Sequence, residues 1–469
     1  MTPGDPARGE DHMPEARVFD ALRRSLMETS RGAKATILRA SPAKLLVFGY
    51  TLYMMVGFAL LSLPIMQSEP VRTIDNLFIA VSAVSTTGLV TIDPGSTYSF
   101  WGELVIFLLI QAGGVGYMTI GSFAVLATQE RLSPLREKVT KAAFSLPKDV
   151  KPAQFIRTVI LFTLICEAIG AVLLYFTFVG AGVDNPAWSA IFHSISAFCT
   201  AGFSLNANSF EDFRDHAGIN IIISALSLFG AMGFLIVWDM WRNLTSRAFH
   251  LGFTSKVIIR LTLTFLTLGT LIMFVIEPTI AALPPSERLL AAFFQTMTAS
   301  TTVGFNTHPI GSMGYAAMLI LFFLMAIGAS PSGTGGGLKT TTFAAMLGLL
   351  RSTLKQRDTV RFFKRPIPPA RLQSAGASVF YFVVLLFFAL FLLALTEPGV
   401  AFERLVFECV SALGTVGLST GVTGDLSTLG KLIIIVLMTA GRVGILTFGI
   451  AIVMHDETDD EVEDNELLL

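Results

Sequence analysis

Long apolar runs alternate along the chain with short polar connections. Four of these runs, at 45–66, 155–179, 257–276 and 378–395, approach or exceed the roughly 20 residues that a helix needs to cross a hydrocarbon core. Each is followed by a shorter apolar segment that cannot cross, at about 76–84, 187–197, 287–299 and 402–412. A second long run closes each unit, at about 104–127, 219–238, 316–350 (interrupted) and 432–453. The pattern predicts full span, half-length helix, turn and full span, four times over. The half-length helices read as re-entrant, because exposed backbone at that depth is tolerated only where it lines a water-filled path. Asn185-Pro186 and Pro285-Ser286 supply start signals, a cap next to a proline, for two of them.

Every half-length segment ends in one frame: a hydroxyl residue, Ala, two variable positions, Thr, a small residue, Gly, then Leu or Phe. The copies lie at 82–89, 196–203, 298–305 and 411–418. So regular a recurrence points to four diverged copies of one membrane unit. The expected fold is all-α and integral to the membrane. Four units of outer helix, pore helix and inner helix would surround a pseudo-fourfold pore, giving eight transmembrane helices and four re-entrant ones. The units occupy 44–128, 155–241, 256–350 and 376–454; connections lie at 129–154, 242–255 and 351–375, between an N-terminal extension, 1–43, and an acidic tail, 455–469.

Composition agrees with this. At 53% hydrophobic and 14% charged residues over 469 positions, the chain carries more apolar surface than a soluble core can hide. The net charge of -1 says little because charge is segregated. Basic residues fill the three connections, among them Arg136, Lys148, Arg242, Lys256, Arg357 and Lys364, and the positive-inside rule puts these and both termini in the cytoplasm. Glu69, Asp93, Glu211 and Glu277 mark the other face, to which the glycine turns belong. The basic stretch 18–38 is expected on the cytoplasmic membrane surface, and the tail is expected to be disordered. No cleavable leader is expected within residues 1–43, which are polar and basic. Cys166, Cys199 and Cys409 show no metal or disulfide spacing and read as packing residues.

Four turns brought to one axis can replace an ion's hydration shell with backbone carbonyls, as a potassium filter does. The candidate filter residues are Thr86, Thr87 and Gly88; Thr200, Ala201 and Gly202; Thr302, Val303 and Gly304; and Thr415, Val416 and Gly417, binding potassium through their backbone carbonyls. Glycine lets the backbone reach dihedrals closed to other residues, and the negative ends of four helix dipoles favour a cation. A single copy is only what a helix ending in glycine offers; four in one frame carry more. No acid lies within the turns, so a carboxylate ring of the divalent-channel kind is not apparent.

Beyond the turns the inner runs align on small residues, at 113–116, 230–233 and 441–444. In the third unit the frame holds Gly328, Ser330 and Pro331, followed by Gly333, Thr334, Gly335, Gly336, Gly337 and Lys339. These would break a membrane helix, and the break belongs in the pore, although a simple inter-helix loop is the plainer alternative. A phosphate-binding loop fails because Leu338, not glycine, precedes Lys339; Lys339 could snorkel to the interface. Arg442 is the one cation deep in the fourth inner run, and intramembrane charges are functional candidates by default. His193, Glu408, Glu103 and Glu167 read as buttressing hydrogen-bond partners.

The turns and the broken third inner run resemble the Trk/Ktr/HKT superfamily of potassium transporters, most closely its bacterial KtrB membrane subunits, over about residues 44–454. The resemblance implies that the loop 328–340 is the gate, and that Arg442 forms an electrostatic barrier and anchors that loop. Some plant members carry serine at the first filter glycine and admit sodium; four glycines here imply potassium selectivity. It further implies a bacterial inner (cell) membrane location, a homodimer, sodium-stimulated flux and a KtrA-like cytosolic ring that binds ATP or ADP. The chain itself shows no nucleotide site, no cofactor, no nucleic-acid signal and no enzyme motif such as H-E-x-x-H or G-x-S-x-G. The alternative, a sodium-coupled secondary transporter of another solute built on inverted repeats, predicts opposed units, whereas the basic connections place all four the same way round.

Overall fold

A computed structural model describes residues 42–116, 119, 137, 139–141, 151–245, 251–363 and 365–453. The basic stretch 18–38, the acidic tail, the end of the first inner run and most of the connection 129–154 lie outside the described residues.

In chain order the first unit comprises α1 (Pro42–Leu61), α2 (Thr73–Ser85) and α3 (Phe100–Val115). The second comprises α4 (Pro152–Gly180), α5 (Pro186–Phe198), α6 (Ala217–Ala231) and α7 (Phe234–Thr245). The third holds α8 (Phe253–Ile276), α9 (Pro285–Thr301), α10 (Tyr315–Ala326) and α11 (Thr340–Leu354). After a minimal antiparallel hairpin of β1 (Arg361–Phe362) and β2 (Arg365–Pro366), the fourth unit runs through α12 (Pro369–Thr396), α13 (Phe402–Gly414), α14 (Thr428–Val443) and α15 (Ile445–Val453).

The outer helices α1, α4, α8 and α12 are each long and apolar enough to cross a membrane. α12 leaves Phe380, Phe387, Phe388 and Phe391 exposed, which suits a hydrocarbon surround. The short helices α5 and α9 open on Pro186 and Pro285, where a fixed φ is already helical. The caps read from the sequence do not form. Asn185 sits in the left-handed region at φ 48° without a cap bond, and Pro284 takes the cap position of α9 in place of Ser286.

The inner runs depart most from expectation. Those at 219–238 and 432–453 read as continuous helices, yet α6 and α7 meet at 88° and α14 and α15 at 107°. α3 likewise ends at Gly116. Gly116, Gly233 and Gly444, the last residues of the three aligned small-residue stretches, take φ of 88°, 90° and 99°, conformations that glycine adopts without steric cost. Hydropathy could not reveal these breaks because the apolar character continues across them. Among the described residues four helices can cross a membrane, or six if each bent pair is one span.

Packing arranges the units in a ring. Each inner helix lies against its own short helix and that of the next unit: α3 on α2 and α5, α6 on α5 and α9, α10 on α9 and α13, and α14 on α13 and α2. A buried ion pair, Lys431 Nζ to Asp75 Oδ1 at 2.8 Å, fastens the joint between last and first units. Beside it the Tyr98 hydroxyl donates to Asn76 Oδ1 at 2.8 Å.

Candidate functional site

Each short helix runs into its frame threonine, and all four threonines lie in the left-handed region: Thr86 (φ 50°), Thr200 (50°), Thr302 (60°) and Thr415 (51°). A β-branched residue seldom adopts this conformation unless its surroundings impose it. Local hydrogen bonds do so. Thr86 donates its N–H to Ala83 O and Thr87 its N–H to Ser82 O, at 3.1 and 2.9 Å; the pair recurs from Thr200 and Ala201 and from Thr415 and Val416. The hydroxyl that opens the frame ties the turn from above. Ser82 and Ser411 Oγ each accept from the N–H of Gly88 and Gly417 at 3.1 Å, and Ser196 Oγ donates to Phe203 O at 2.8 Å.

The four glycines have φ of 86°, 67°, 84° and 94°. A Cβ on Gly88 would strike the Ala201 carbonyl, on Gly202 that of Val303, on Gly304 that of Val416 and on Gly417 that of Thr87. The carbonyl oxygen before each glycine thus abuts the glycine of the adjoining turn, and the series returns to its start. Four backbone oxygens form a closed cycle in which any side chain at a glycine would displace a neighbour's carbonyl.

Directly against the four threonines lies the segment 327–339 between α10 and α11. Thr86 Oγ1 donates to Thr334 O at 3.4 Å, Thr200 and Thr334 hydroxyls meet at 3.0 Å, and Thr415 Oγ1 accepts from Gly336 N–H at 2.9 Å. Gly335 packs so tightly on Thr302 that a Cβ would overlap its hydroxyl. The segment is tied down by Ser330 N–H to Ala231 O (3.1 Å), Thr334 N–H to Gly230 O (3.1 Å) and Phe234 N–H to Ser332 O (3.0 Å). Ile327 bridges Leu338 in parallel. Gly328 packs on the Gly336 carbonyl, Gly333 on that of Ala231, the Pro331 carbonyl abuts Gly233, and Gly337 takes φ 70°. All the loop residues singled out in the sequence therefore belong to one folded segment, termed the plug, whose glycines admit close backbone contacts.

Arg442, at the end of α14, spans plug and ring. Nη1 donates to Thr86 Oγ1 at 2.8 Å and to the Thr334 carbonyl, and Nη2 to the Gly113 and Gly114 carbonyls. Lys339 turns back to donate Nζ to Gly335 O at 2.7 Å, so it caps the plug and does not reach outward to an interface. On one side of the ring lies a cavity of about 370 Å³ bordered by the four glycines and by Asp93, Ser204, Asn206 and Glu211. On the other, below the plug, a cavity of about 290 Å³ is bordered by Arg442, Lys339, Gly116 and Gly444. Oxygen acceptors line one side and cations the other, with ring and plug between.

The remaining polar residues act as buttresses. Glu103 Oε2 accepts from Trp188 Nε1 at 2.6 Å, and Glu167 Oε2 from Gln111 Nε2 at 3.1 Å, next to the buried Cys199 thiol. His193 and Glu408 engage the chain that leaves the ring. Sequence reasoning missed Gln295, Gln111 and the Lys431–Asp75 pair. Gln295 shares a register with His193 and Glu408 and could have been found there; no local pattern links residues as distant as 75 and 431. Among the described residues no group of three or more His, Cys, Asp or Glu could hold a metal ion.

Known proteins match this chain over most of its length. The sequence profile of TrkH, described as a cation transport protein, matches residues 51–462. The chain is 34% identical over 404 residues to the Ktr system potassium uptake protein B of Vibrio alginolyticus, covering 85% of this chain and 88% of that protein. It is 32% identical over 436 residues to the protein of the same name from Bacillus subtilis, covering 92% and 97%. The crystal structure of the potassium transporter TrkH from Vibrio parahaemolyticus has the same fold, with a TM-score of 0.68 at 21% identity over 88% of this chain and 85% of that one. Extending over most of the sequence and through the ring and its plug, these matches establish that the chain belongs to the TrkH family of cation transport proteins.

Proposed function

We propose that this chain is a potassium uptake subunit of a bacterial cell membrane, in which the cycle of four turns is the selectivity filter and the 327–339 plug is the gate. The observation that carries the reading is the closed series of backbone carbonyls, each seated on a neighbouring glycine, with a glycine-rich segment bonded to three of the four threonines and packed on the fourth, Thr302. Rings of carbonyls replace the hydration shell of potassium. The filter comprises the Thr86–Gly88, Thr200–Gly202, Thr302–Gly304 and Thr415–Gly417 tripeptides. Arg442 and Lys339 hold the plug and place positive charge on the exit side, so the conformation described is the closed one.

In this reading the four units form a pseudo-fourfold pore of eight spans, three or more of them bent, with the short helices re-entrant. Both termini and the basic connections face the cytoplasm, following the positive-inside rule. Two relatives carry the name Ktr system potassium uptake protein B, which supports the choice of ion and a partnership with a regulatory subunit. A homodimer, a KtrA-like cytosolic ring that binds ATP or ADP, and sodium stimulation complete the proposal.

The test is rubidium uptake at low external potassium by an uptake-deficient bacterium that expresses the chain with a KtrA-type partner, with each alkali cation as competitor. Wild type is expected to show uptake that potassium competes best. Gly304→Ser, which drives a side chain into the Val416 carbonyl, is expected to weaken uptake or open it to sodium. No uptake from well-expressed wild type, with and without sodium and partner, or identical behaviour of the variant, would sink the reading.

A further inference from the structure

A second repeated register lies outside the ring. Nine residues before each ring glycine (79 to 88, 193 to 202, 295 to 304, 408 to 417) stand Ile79, His193, Gln295 and Glu408, all fully buried. Three residues after each glycine, at Thr91, Leu205, Thr307 and Thr420, the chain has turned into the leg that leaves the ring. In three units the first position reaches the second. His193 Nε2 accepts from Leu205 N–H at 3.2 Å and meets Ser204 Oγ at 3.1 Å. Gln295, with its amide oxygen turned to the leg, accepts from the N–H groups of Thr307 (3.0 Å) and His308 (2.9 Å). Glu408 Oε1 accepts from Thr420 N–H at 3.0 Å and Ser419 Oγ at 2.6 Å, and its Oε2 from Thr423 Oγ1 at 2.7 Å. In the first unit Ile79 has no acceptor to offer, and the Thr91 hydroxyl is buried without a partner among the described residues.

Taking the ring as the ion path proposed above, we propose that His193, Gln295 and Glu408 are positioning residues that fix the filter's outer legs and through them its discrimination between alkali cations. Three unlike side chains perform one task at one register. Each presents an acceptor to the same leg N–H. For His193 the tautomer follows from the geometry. Its Nδ1 lies 2.8 Å from Ser189 O, which can only accept, so Nδ1 carries the proton and Nε2 is the acceptor. A role as ion ligands would require these atoms to face the path, yet they are committed to protein donors. Only two residues separate each ring glycine from its braced position, so a slackened leg shifts the glycine and the carbonyl before it. Carbonyl number and field strength decide which ion replaces its water favourably, and ligand groups hold their geometry only as well as their supports do.

Ile79 shows that an aliphatic side chain at this register is compatible with the fold, so Gln295→Leu and Glu408→Leu are informative variants, with Glu408→Gln as the conservative exchange and Ile79→Leu as control. Two readouts on the full chain in lipid are combined: hydrogen exchange of the peptides holding residues 307 and 420, and the ratio of sodium to potassium concentrations that halve rubidium uptake. The leucine variants are expected to raise exchange in their own leg by about tenfold, as a buried N–H loses its acceptor, and to lower the ratio several-fold. Glu408→Gln, which keeps an acceptor for Thr420 N–H, restores both, and Ile79→Leu changes neither. Unaltered exchange overturns the bracing. Raised exchange with the wild-type ratio overturns the link to selectivity. Absence of rubidium uptake by wild type would instead overturn the transport reading, while the exchange data would still decide whether these residues hold the legs.

Discussion

At the scale of residues, the site is made by backbone conformation more than by side-chain chemistry. The T-x-G frame was legible because it repeats, and the structure gives each letter a reason. Threonine ends the helix in the left-handed region, glycine admits its neighbour's carbonyl, and the opening serine ties the turn in the three copies that have one. What the sequence could not reveal was the partner of each isolated polar residue, because those partners lie on the outgoing legs for His193 and Glu408 and on a neighbouring unit for Glu103 and Glu167. One such leg leads to His308, whose Nε2 lies 2.7 Å from Thr279 Oγ1. Burial and the nearby Arg214 guanidinium push its pKa below the ordinary histidine value, against a smaller opposing pull from Glu277. A lowered folded-state pKa means that the unfolded chain binds the proton more readily. Stability from a neutral His308 is therefore present above about pH 6.5 and lost as the pH falls below it. Thermal unfolding midpoints should drop on acidification towards about pH 5, and by less in His308→Gln; an equal drop in both would show that His308 is not the group responsible.

At the scale of elements, hydropathy located the helices and missed their bends. α12 begins nine residues before its run, at Pro369 and not at 378, but the short helices and the other three outer helices stand within a few residues of where the apolar runs placed them. The inner helices do not, because a bend between two apolar segments leaves the apolar pattern intact. The clue was present in the aligned glycines, but their meaning depends on φ. Element contacts also explain what closes the ring. α14 packs on α2 through the Lys431–Asp75 pair, with side chains only 5% and 6% exposed. Removing one partner of a pair so buried costs about 3–5 kcal/mol, while replacing both costs far less. Lys431→Met should lower the unfolding midpoint sharply, and the double variant with Asp75→Asn should recover much of the loss. Additive effects would mean that the two charges do not sustain each other.

At the scale of the molecule, four similar units surround one dissimilar feature. Only the third carries the proline and glycines of the plug, and that single segment touches the threonines of all four turns. Its seating is tight. A Cβ on Gly336 would collide with Thr415 Oγ1. Gly336→Ala should therefore unseat the plug and raise resting rubidium flux in the absence of the partner subunit, with potassium still the best competitor because the four ring glycines are unchanged. Flux equal to or below wild type would argue that the segment does not close the path. The helical, membrane-type fold was legible from sequence; the residues that join the fourth unit to the first were not, since that joint rests on Lys431 and Asp75, separated by most of the chain.

That joint has a consequence for how the protein comes into being. Lys431 and Asp75 are 356 residues apart, and the carbonyl cycle needs Val416 to meet Gly304 and Thr87 to meet Gly417. During synthesis the first three units can enter the bilayer and pack on one another while the circle stays open. A chain made only through its third unit holds three of the four turns, so the carbonyl cycle is open, and the segment 327–339 lacks the seats that Thr415 and Arg442 give it. If the ring is the ion path proposed above, filter and gate are thus completed by the same last unit, and neither is finished before the other.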